Sequence, residues 1–196
     1  ARADYGVASV TNSGSIDTYS KQGVAYGVLA RSDYGVASVI NSGMIKADGY
    51  LAATGIAAVG SYGASVTTTG GSIDVFATGQ ATGINASAFS GDAVVENAGD
   101  IQVIGLALGA DAISASSVYG NAAVINSGAL RALSLNGNVN GVIAKSGAGN
   151  VVIENHGDVL AYSSAGNAIG LYGYSQSGDV GIANTGTLYA ASYYGL

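Results

Sequence analysis

The feature that most constrains the fold is a short pattern, seen in Gly35–Ile45, that recurs along the whole chain. It consists of a Gly, apolar residues at every second position, an Asn six residues after the Gly, and another Gly two residues later. Aligned on these markers, the Asn position occurs seven times, at Asn12, Asn41, Thr69, Asn97, Asn126, Asn155 and Asn184. The intervals are 28 or 29 residues. A fixed period of this length predicts a repeat architecture.

Inside each repeat the apolar residues alternate with polar or small ones. A period of two is typical of β-strands and not of helices. The alignment predicts that Ala37 and Val39 point inward in the first strand, as do Ser65 and Thr67 in the third repeat. A second strand follows the Asn-x-Gly corner, and a third strand completes the unit.

A single unit of this kind cannot bury its apolar face, but stacked units can. Each strand would then pair with its equivalent in the next unit, about 4.8 Å away. The sequence therefore predicts an all-β fold, a right-handed parallel β-helix (solenoid) with about seven coils of 28–29 residues and three short strands per coil. Residues 1–196 would form a single solenoid segment.

The Asn position is predicted to be structural. It continues the inward parity of the first strand, so its amide is expected to point inward at a corner and to bond backbone groups of the turn. The Gly two residues later suits a sharp bend. The expected corner ladder comprises Asn12, Asn41, Asn97, Asn126, Asn155 and Asn184.

The ends of the chain and its composition narrow the interpretation. Residues 1–10 nearly repeat residues 30–39, so we expect an excerpt of a longer rod, without polar caps.

The net charge is −6, and the six Lys and Arg residues are scattered. Nucleic acid and anionic membranes are therefore not expected as partners. The chain has no Cys, which excludes a disulfide framework and thiolate metal sites.

The run Val-x-Asn-Ser-Gly-x-Ile, followed by small residues and Gly-Ile-x-Ala, resembles the passenger region of bacterial autotransporters. Haemagglutinin-like exoproteins are similar. The resemblance covers all 196 residues. It implies a right-handed β-helix located extracellularly or at the bacterial cell surface. It also implies export through a C-terminal outer-membrane barrel of the same protein, outside this segment. Because the family is functionally broad, the resemblance implies no particular activity.

No set of residues has the pattern of a catalytic site, and no metal or cofactor is expected. The closest grouping of acids is Asp92, Glu96 and Asp100, which belong to one repeat. Some β-helix proteins are polysaccharide lyases or hydrolases, which use clustered carboxylates, so an acidic site near these residues is the alternative function. Ordinary solvent-facing acids are the simpler interpretation. The single His156 lies in a variable turn and predicts no catalytic role.

Tyrosines supply 13 of the 15 aromatic residues and fall into rows. Exposed Tyr offers sugars or proteins a flat apolar face with a polar tip, whereas stacking at a corner of the solenoid is the simpler interpretation. One row contains Tyr5, Tyr34, Tyr62 and Tyr119, and another contains Tyr19, Phe76 and Tyr162.

The favoured function is a non-enzymatic structural and adhesive stalk that binds host-cell surfaces, glycans or another copy of itself. Exposed apolar residues permit lateral contact between rods, among them Ile104, Leu133 and Leu160.

Overall fold

The computed structural model describes residues 1–195, which form three parallel seven-stranded sheets wound into a solenoid. The predicted parallel β-solenoid with three strands per coil and about seven coils is confirmed. The described residues contain no α-helix, and therefore no helix that could cross a membrane.

Each sheet takes one strand from every coil, and all strand pairs are parallel. Sheet A contains β1 (Arg2–Tyr5), β4 (Val24–Tyr34), β7 (Ala52–Gly60), β10 (Gln80–Ala88), β13 (Gly109–Ser117), β16 (Asn138–Ser146) and β19 (Ala168–Ser175). Sheet B contains β2 (Ala8–Asn12), β5 (Val36–Asn41), β8 (Gly63–Thr68), β11 (Ala93–Asn97), β14 (Ala122–Asn126), β17 (Val151–Asn155) and β20 (Val180–Asn184). Sheet C contains β3 (Ser15–Ser20), β6 (Met44–Gly49), β9 (Ser72–Ala77), β12 (Asp100–Gly105), β15 (Leu130–Ser134), β18 (Val159–Ser163) and β21 (Leu188–Ser192).

We number the coils from the strands of sheet B. Coil 1 is β2–β4, coil 2 is β5–β7, and so on to coil 6 (β17–β19) and coil 7 (β20 and β21). The chain therefore passes a corner from sheet B to sheet C, from C to A, and from A to B in every complete coil.

The core is built from identical or similar side chains stacked along the rod. Sheet C contributes a buried row that includes Ile45, Ile73 and Ile101, and sheet A contributes a buried row of Ala. Burial of each large aliphatic side chain contributes roughly 1.5–3 kcal/mol. No buried side-chain nitrogen or oxygen of residues 1–195 lacks a hydrogen-bond partner. The interior is thus both apolar and fully hydrogen-bonded.

The strand that opens coil 3 differs from the sequence prediction by one residue. Ala64 and Val66 are buried there, whereas Ser65 and Thr67, which were predicted to point inward, are only partly buried. The register pairs Thr68, not Thr69, with the Asn position of the neighbouring coils.

Two compensating length changes cause this shift. At the corner from sheet A to sheet B, Gly60 and Ala64 are four residues apart, whereas their counterparts in the preceding coil are five apart. At the next corner, Thr68 and Gly71 are three residues apart, whereas their counterparts are two apart. One corner is a residue shorter and the next is a residue longer. The spacing of the Gly markers before and after this strand is therefore unchanged, although the strand between them is shifted by one residue.

Candidate functional site

The corner from sheet B to sheet C carries the Asn ladder. The amide nitrogen of each Asn donates to the carbonyl of the Gly two residues on, at 2.8 Å for Asn126. The same nitrogen donates to the Oδ1 of the next Asn, at 2.7 Å from Asn126 to Asn155. Thr68 substitutes in coil 3, where its hydroxyl donates to Asn97. From Asn41 to Asn155 the ladder is buried, so it is unavailable to ligands.

The other two corners are closed by Ser in most but not all coils, a pattern that the sequence analysis missed. At the corner from A to B, Ser146 donates to the carbonyl oxygen of Gly120 at 2.7 Å and accepts from the amide of Gly149 at 2.8 Å. Ser163 does the same at the corner from C to A. Each such Ser links one coil to the coil before it.

This Ser position is interrupted at both corners. At the corner from C to A it holds Gly49, Ala77 and Gly105 in coils 2 to 4, and at the corner from A to B it is lost in two consecutive coils. The position that holds Ser32 in coil 1 holds Gly60 in coil 2 and Ala88 in coil 3. Two neighbouring serines replace part of the missing bonds: Ser61 donates to the carbonyl of Asp33, and Ser90 donates to that of Ser61. The corner therefore has a different shape in these coils.

An aromatic cleft of about 610 Å³ lies at this interruption. Its walls are the exposed rings of Tyr34, Tyr62 and Phe89, and its polar lining comes from Asp33, Ser61 and Ser90. We call it the aromatic cleft. Because coil 3 begins with the shortened corner, Tyr62 does not lie directly above Tyr34, and the two rings flank a space instead of stacking.

The remaining members of the first predicted Tyr row lie on either side of the cleft. Tyr5 stacks on Tyr34 with ring centroids 5.1 Å apart. Tyr119 meets Phe89 edge to face at 5.2 Å. The row is thus a discontinuous aromatic strip along one edge of the rod, with the aromatic cleft at its centre.

An ion-pair cluster borders the cleft. Arg31 Nε lies 2.8 Å from Asp33 Oδ1, and Arg2 Nη2 lies 3.0 Å from Asp33 Oδ2. The hydrogen bond from Arg31 is the main reason that the pKa of Asp33 is lowered, and Arg2 adds to it against the effect of burial. Asp33 is therefore a carboxylate acceptor throughout the neutral range. A second recess of about 370 Å³, lined by Arg31, Val59 and Phe89 among others, adjoins the cleft.

The second predicted aromatic row lies on the outward face of sheet C. Tyr19, Phe76 and Tyr162 share one register position, but Asp48 separates the first two. Ile104 and Leu133 separate the others. Beside the second half of this row is a nearly wholly apolar groove of about 250 Å³, lined by Ile104, Leu106, Leu133, Leu135 and Tyr162 with two serines.

The structure does not bring Asp92, Glu96 and Asp100 together. Asp92 and Glu96 are four residues apart along extended chain, which is about 13 Å. Asp92 accepts from the backbone and side chain of Asn121, while Asp100, beyond the next corner, accepts from the amide of Ala129. Within residues 1–195, no three acidic or His side chains are grouped closely enough to hold a metal ion.

Two further polar groups belong to the outer surface. His156 Nδ1 lies 2.8 Å from the hydroxyl of Thr185 in the neighbouring turn. Asp111 on sheet A accepts from Asn140 at 2.7 Å and from Gln80 at 3.2 Å, and burial raises its pKa. All three contacts join adjacent coils.

Sequence reasoning found Tyr34 and Tyr62 but missed Phe89, Asp33 and Ser61 as members of one site. The available signal was the loss of Ser at positions 60 and 88, in a register position that is Ser in coils 1, 4, 5 and 6. No family model, no curated protein and no solved structure matches this chain. The site is therefore interpreted from its own geometry.

Proposed function

We propose that this chain is a structural and adhesive segment of an exported bacterial surface protein: a rigid rod that displays a glycan-binding site. The observation that carries the proposal is the aromatic cleft, which lies where the repeat pattern of the corner is interrupted. The autotransporter-like export and surface location rest on the motif resemblance.

The chemistry of the cleft suits a saccharide. Tyr34, Tyr62 and Phe89 offer flat apolar faces to the C–H faces of sugar rings. Asp33, fixed as a carboxylate by Arg31, and the hydroxyl groups of Ser61 and Ser90 offer polar partners for sugar hydroxyls. A few convergent polar groups in an otherwise apolar recess are typical of small-molecule sites.

The rod itself keeps the cleft preorganised. Its walls follow strands that are paired on both sides with neighbouring coils, and Asp33 is held by two arginines. A site whose groups are already ordered loses less conformational entropy on binding. The same rigidity lets a solenoid present the site at a distance from an anchoring surface.

Binding to a panel of glycans, followed by calorimetry on any hit, tests the proposal. We expect Tyr62→Ala to weaken binding at least about tenfold, since it removes one aromatic wall. Tyr34→Ala should have a similar effect. Tyr26→Ala is the matched control, because Tyr26 is also exposed but lies on the outward face of sheet A. Equal affinities for all three variants, or no glycan bound by the native chain, would contradict the proposal.

The carbohydrate-active alternative is tested in the same samples. Polyuronates and other polysaccharides are incubated with the native chain, with and without calcium, and new chain ends are measured. Turnover that Asp92→Asn or Glu96→Gln abolishes would assign catalysis to that face of coil 4.

A further inference from the structure

Another recess, of about 230 Å³, lies at the corner from sheet C to sheet A in coils 1 to 3. We call it the C–A recess. It shares no lining residue with the aromatic cleft. Its walls include three exposed aromatic side chains, one carboxyl group and two hydroxyl groups, which belong to Tyr19, Tyr50, Phe76, Asp48, Ser20 and Thr78.

The C–A recess and the aromatic cleft contain the same kinds of side chain. Each has two tyrosines, one phenylalanine, one aspartate and two hydroxyl groups. The aspartate of each pairs with a cation two residues earlier in the chain. Lys46 Nζ lies 3.3 Å from Asp48 Oδ2, and the corresponding atoms of Arg31 and Asp33 are 2.8 Å apart. The two carboxylate side chains are also equally shielded, at 27% and 26% exposed.

Both sites lie beside a corner of coil 2 that is one residue short. At the corner from C to A, Gly49 and Ala52 are three residues apart, whereas their counterparts in coil 1 are four apart. A Cβ on Gly49 would lie 1.9 Å from the carbonyl oxygen of Ala52, so the short corner requires glycine. Gly60 has the same role at the shortened corner from A to B. Because a shorter turn covers less of the surface, the aromatic side chains around it border an open space.

From this recurrence we propose that the C–A recess is a second saccharide site, in which Tyr19, Tyr50 and Phe76 surround one pyranose ring. The inference rests on the proposed glycan-binding function, because it transfers the same chemistry to another corner. The aromatic faces pack against the C–H face of the sugar. Asp48 accepts hydrogen bonds from sugar hydroxyl groups, and Thr78 both donates and accepts.

The backbone holds these groups in place. Tyr19, Asp48 and Phe76 share one register position in successive coils, so the carboxylate lies between two aromatic side chains at intervals of about 4.8 Å. At the corner, the amide of Tyr50 donates to the carbonyl of Ser20 at 3.1 Å, and the amide of Thr78 donates to the carbonyl of Gly49 at 3.2 Å. Because the walls are already ordered, binding loses little conformational entropy.

The charges around the C–A recess favour a neutral ligand. Lys46 pairs with Asp48, and Lys21 lines the recess, so two ammonium groups oppose a cationic ligand. Asp48 itself opposes an anionic ligand, as do Asp17 and Asp74 on either side of Lys46. A saccharide with hydroxyl groups and no charge meets neither repulsion.

The size of the recess limits the ligand to one sugar ring. Its volume is about 230 Å³, against about 610 Å³ for the aromatic cleft. Sites for drug-sized molecules have volumes of about 300–1,000 Å³. The C–A recess therefore takes a single pyranose, such as the terminal residue of a glycan.

The two sites are far apart on the rod. Strand β7 (Ala52–Gly60) connects the two shortened corners, and its length is about 26 Å. A single sugar ring cannot reach from one site to the other. The rod can therefore hold two glycan chains at once, one at each edge of sheet A.

A site-resolved titration tests the proposal. The probes are the methyl glycosides of glucose, galactose and N-acetylglucosamine, and the backbone amide shifts of the isotope-labelled chain are followed by NMR. At least one probe should shift the amides of Tyr50 and Thr78. Tyr50→Ala should weaken this response at least about tenfold, and Tyr19→Ala should do likewise. Leu51→Ala is the matched control and should leave the response unchanged, because Leu51 is 56% exposed beside Tyr50, at 54%, but does not line the recess.

The same spectra separate this inference from the proposed function. If no probe shifts the amides of Tyr50 and Thr78, the second site is overturned, and shifts at Tyr62 and Phe89 alone would leave the proposed function standing. Equal weakening by Tyr50→Ala and Leu51→Ala would also overturn the second site. Shifts at the C–A recess that persist in Tyr62→Ala would support it, even where the aromatic cleft gives no response.

Discussion

Two corners of the same solenoid behave differently. The corner from sheet B to sheet C is closed by a buried ladder of Asn side chains that bond one another from coil to coil. The corner from A to B is closed by Ser side chains that bond backbone groups and not one another, and Gly60 and Ala88 replace that Ser in two coils. The ladder contains one substitution, Thr68, which still donates to Asn97, whereas the side-chain amide of Asn41 donates to Gly43 alone.

The difference between the two corners shows at which positions a repeat protein tolerates the loss of a corner side chain. A side chain in the Asn ladder is needed by two neighbours as well as by its own turn. A Ser at the other corner serves only one neighbouring coil, so its loss is local, and two serines nearby replace part of its role. The aromatic cleft lies at that second corner.

The largest expected effect is at the Asn ladder. Asn126→Ala removes the donor to Gly128 and Asn155 and leaves the amide of Asn97 with one fewer acceptor, all in the buried interior. Each unsatisfied buried group costs about 1–3 kcal/mol, so the free energy of unfolding should fall by about 3 kcal/mol or more. Denaturant unfolding measures this, with the exposed Asn136→Ala as control, expected within about 0.5 kcal/mol of native. A loss below about 1 kcal/mol would show that the ladder does not hold the corner.

The second prediction concerns two equivalent corner positions, at which substitution by Ser should change the free energy of unfolding in opposite directions. Gly60→Ser should destabilise the chain by about 2 kcal/mol, because a Cβ there would lie 2.2 Å from the carbonyl oxygen of Gly63 and 2.7 Å from the amide nitrogen of Ala37. Ala88→Ser should instead stabilise it by about 1 kcal/mol, because its corner has the ordinary length. The new hydroxyl can then donate to a carbonyl of the preceding coil and accept from the backbone amide three residues on, as the corner serines do. Thermal unfolding of both variants measures the pair. Equal shifts would contradict the importance of the shortened corner.

A smaller effect is expected at an intact Ser corner. Ser146→Ala leaves the carbonyl of Gly120 and the amide of Gly149 without this partner, so stability should fall by about 1–2 kcal/mol. Ser114→Ala, on the outward face of sheet A, is the control and should be nearly neutral. A loss as large as that of Asn126→Ala would remove the distinction between the two corners.

The fold could be predicted because one short motif sets both the period and the strand parity. The Gly and Asn markers and the alternation of apolar residues agree in most coils, and stacking then follows from the need to bury one face. Coil 3 was misaligned because its two length changes cancel at the markers. The apolar pair Ala64 and Val66, beside the polar pair Ser65 and Thr67, was the signal for the correct phase.

The candidate site could be predicted only in part. Tyr34 and Tyr62 were identified from their apparent register, but the cleft between them depends on the shortened corner, which moves Tyr62 out of that register. Phe89 follows an Ala where coils 1, 4, 5 and 6 have Ser, and it belongs to neither predicted aromatic row, although it lines the cleft. Side chains at positions where the repeat pattern is interrupted follow no periodicity. The sequence alone therefore does not predict that they lie together in one cleft.

The smallest expected effect is on the stability of the chain at low pH, and it comes from Asp158 beside the Asn corner. Asp158 Oδ1 accepts from the backbone amide of Thr187 at 3.0 Å, and this bond lowers the pKa of Asp158 below the usual 3.8. A lowered pKa in the folded state adds stability that is present above about pH 4 and is lost as the pH falls through the folded pKa. Asp158→Asn keeps an acceptor but cannot ionise, so its unfolding midpoint should lie slightly below native at pH 7 and fall less between pH 4 and pH 2. Asp17→Asn, whose carboxyl forms no hydrogen bond or ion pair with residues 1–195, should follow the native curve. If both variants change the fall of the unfolding midpoint between pH 4 and pH 2 equally, the hydrogen bond of Asp158 is not the cause of that fall. Acid would then destabilise the rod as a whole.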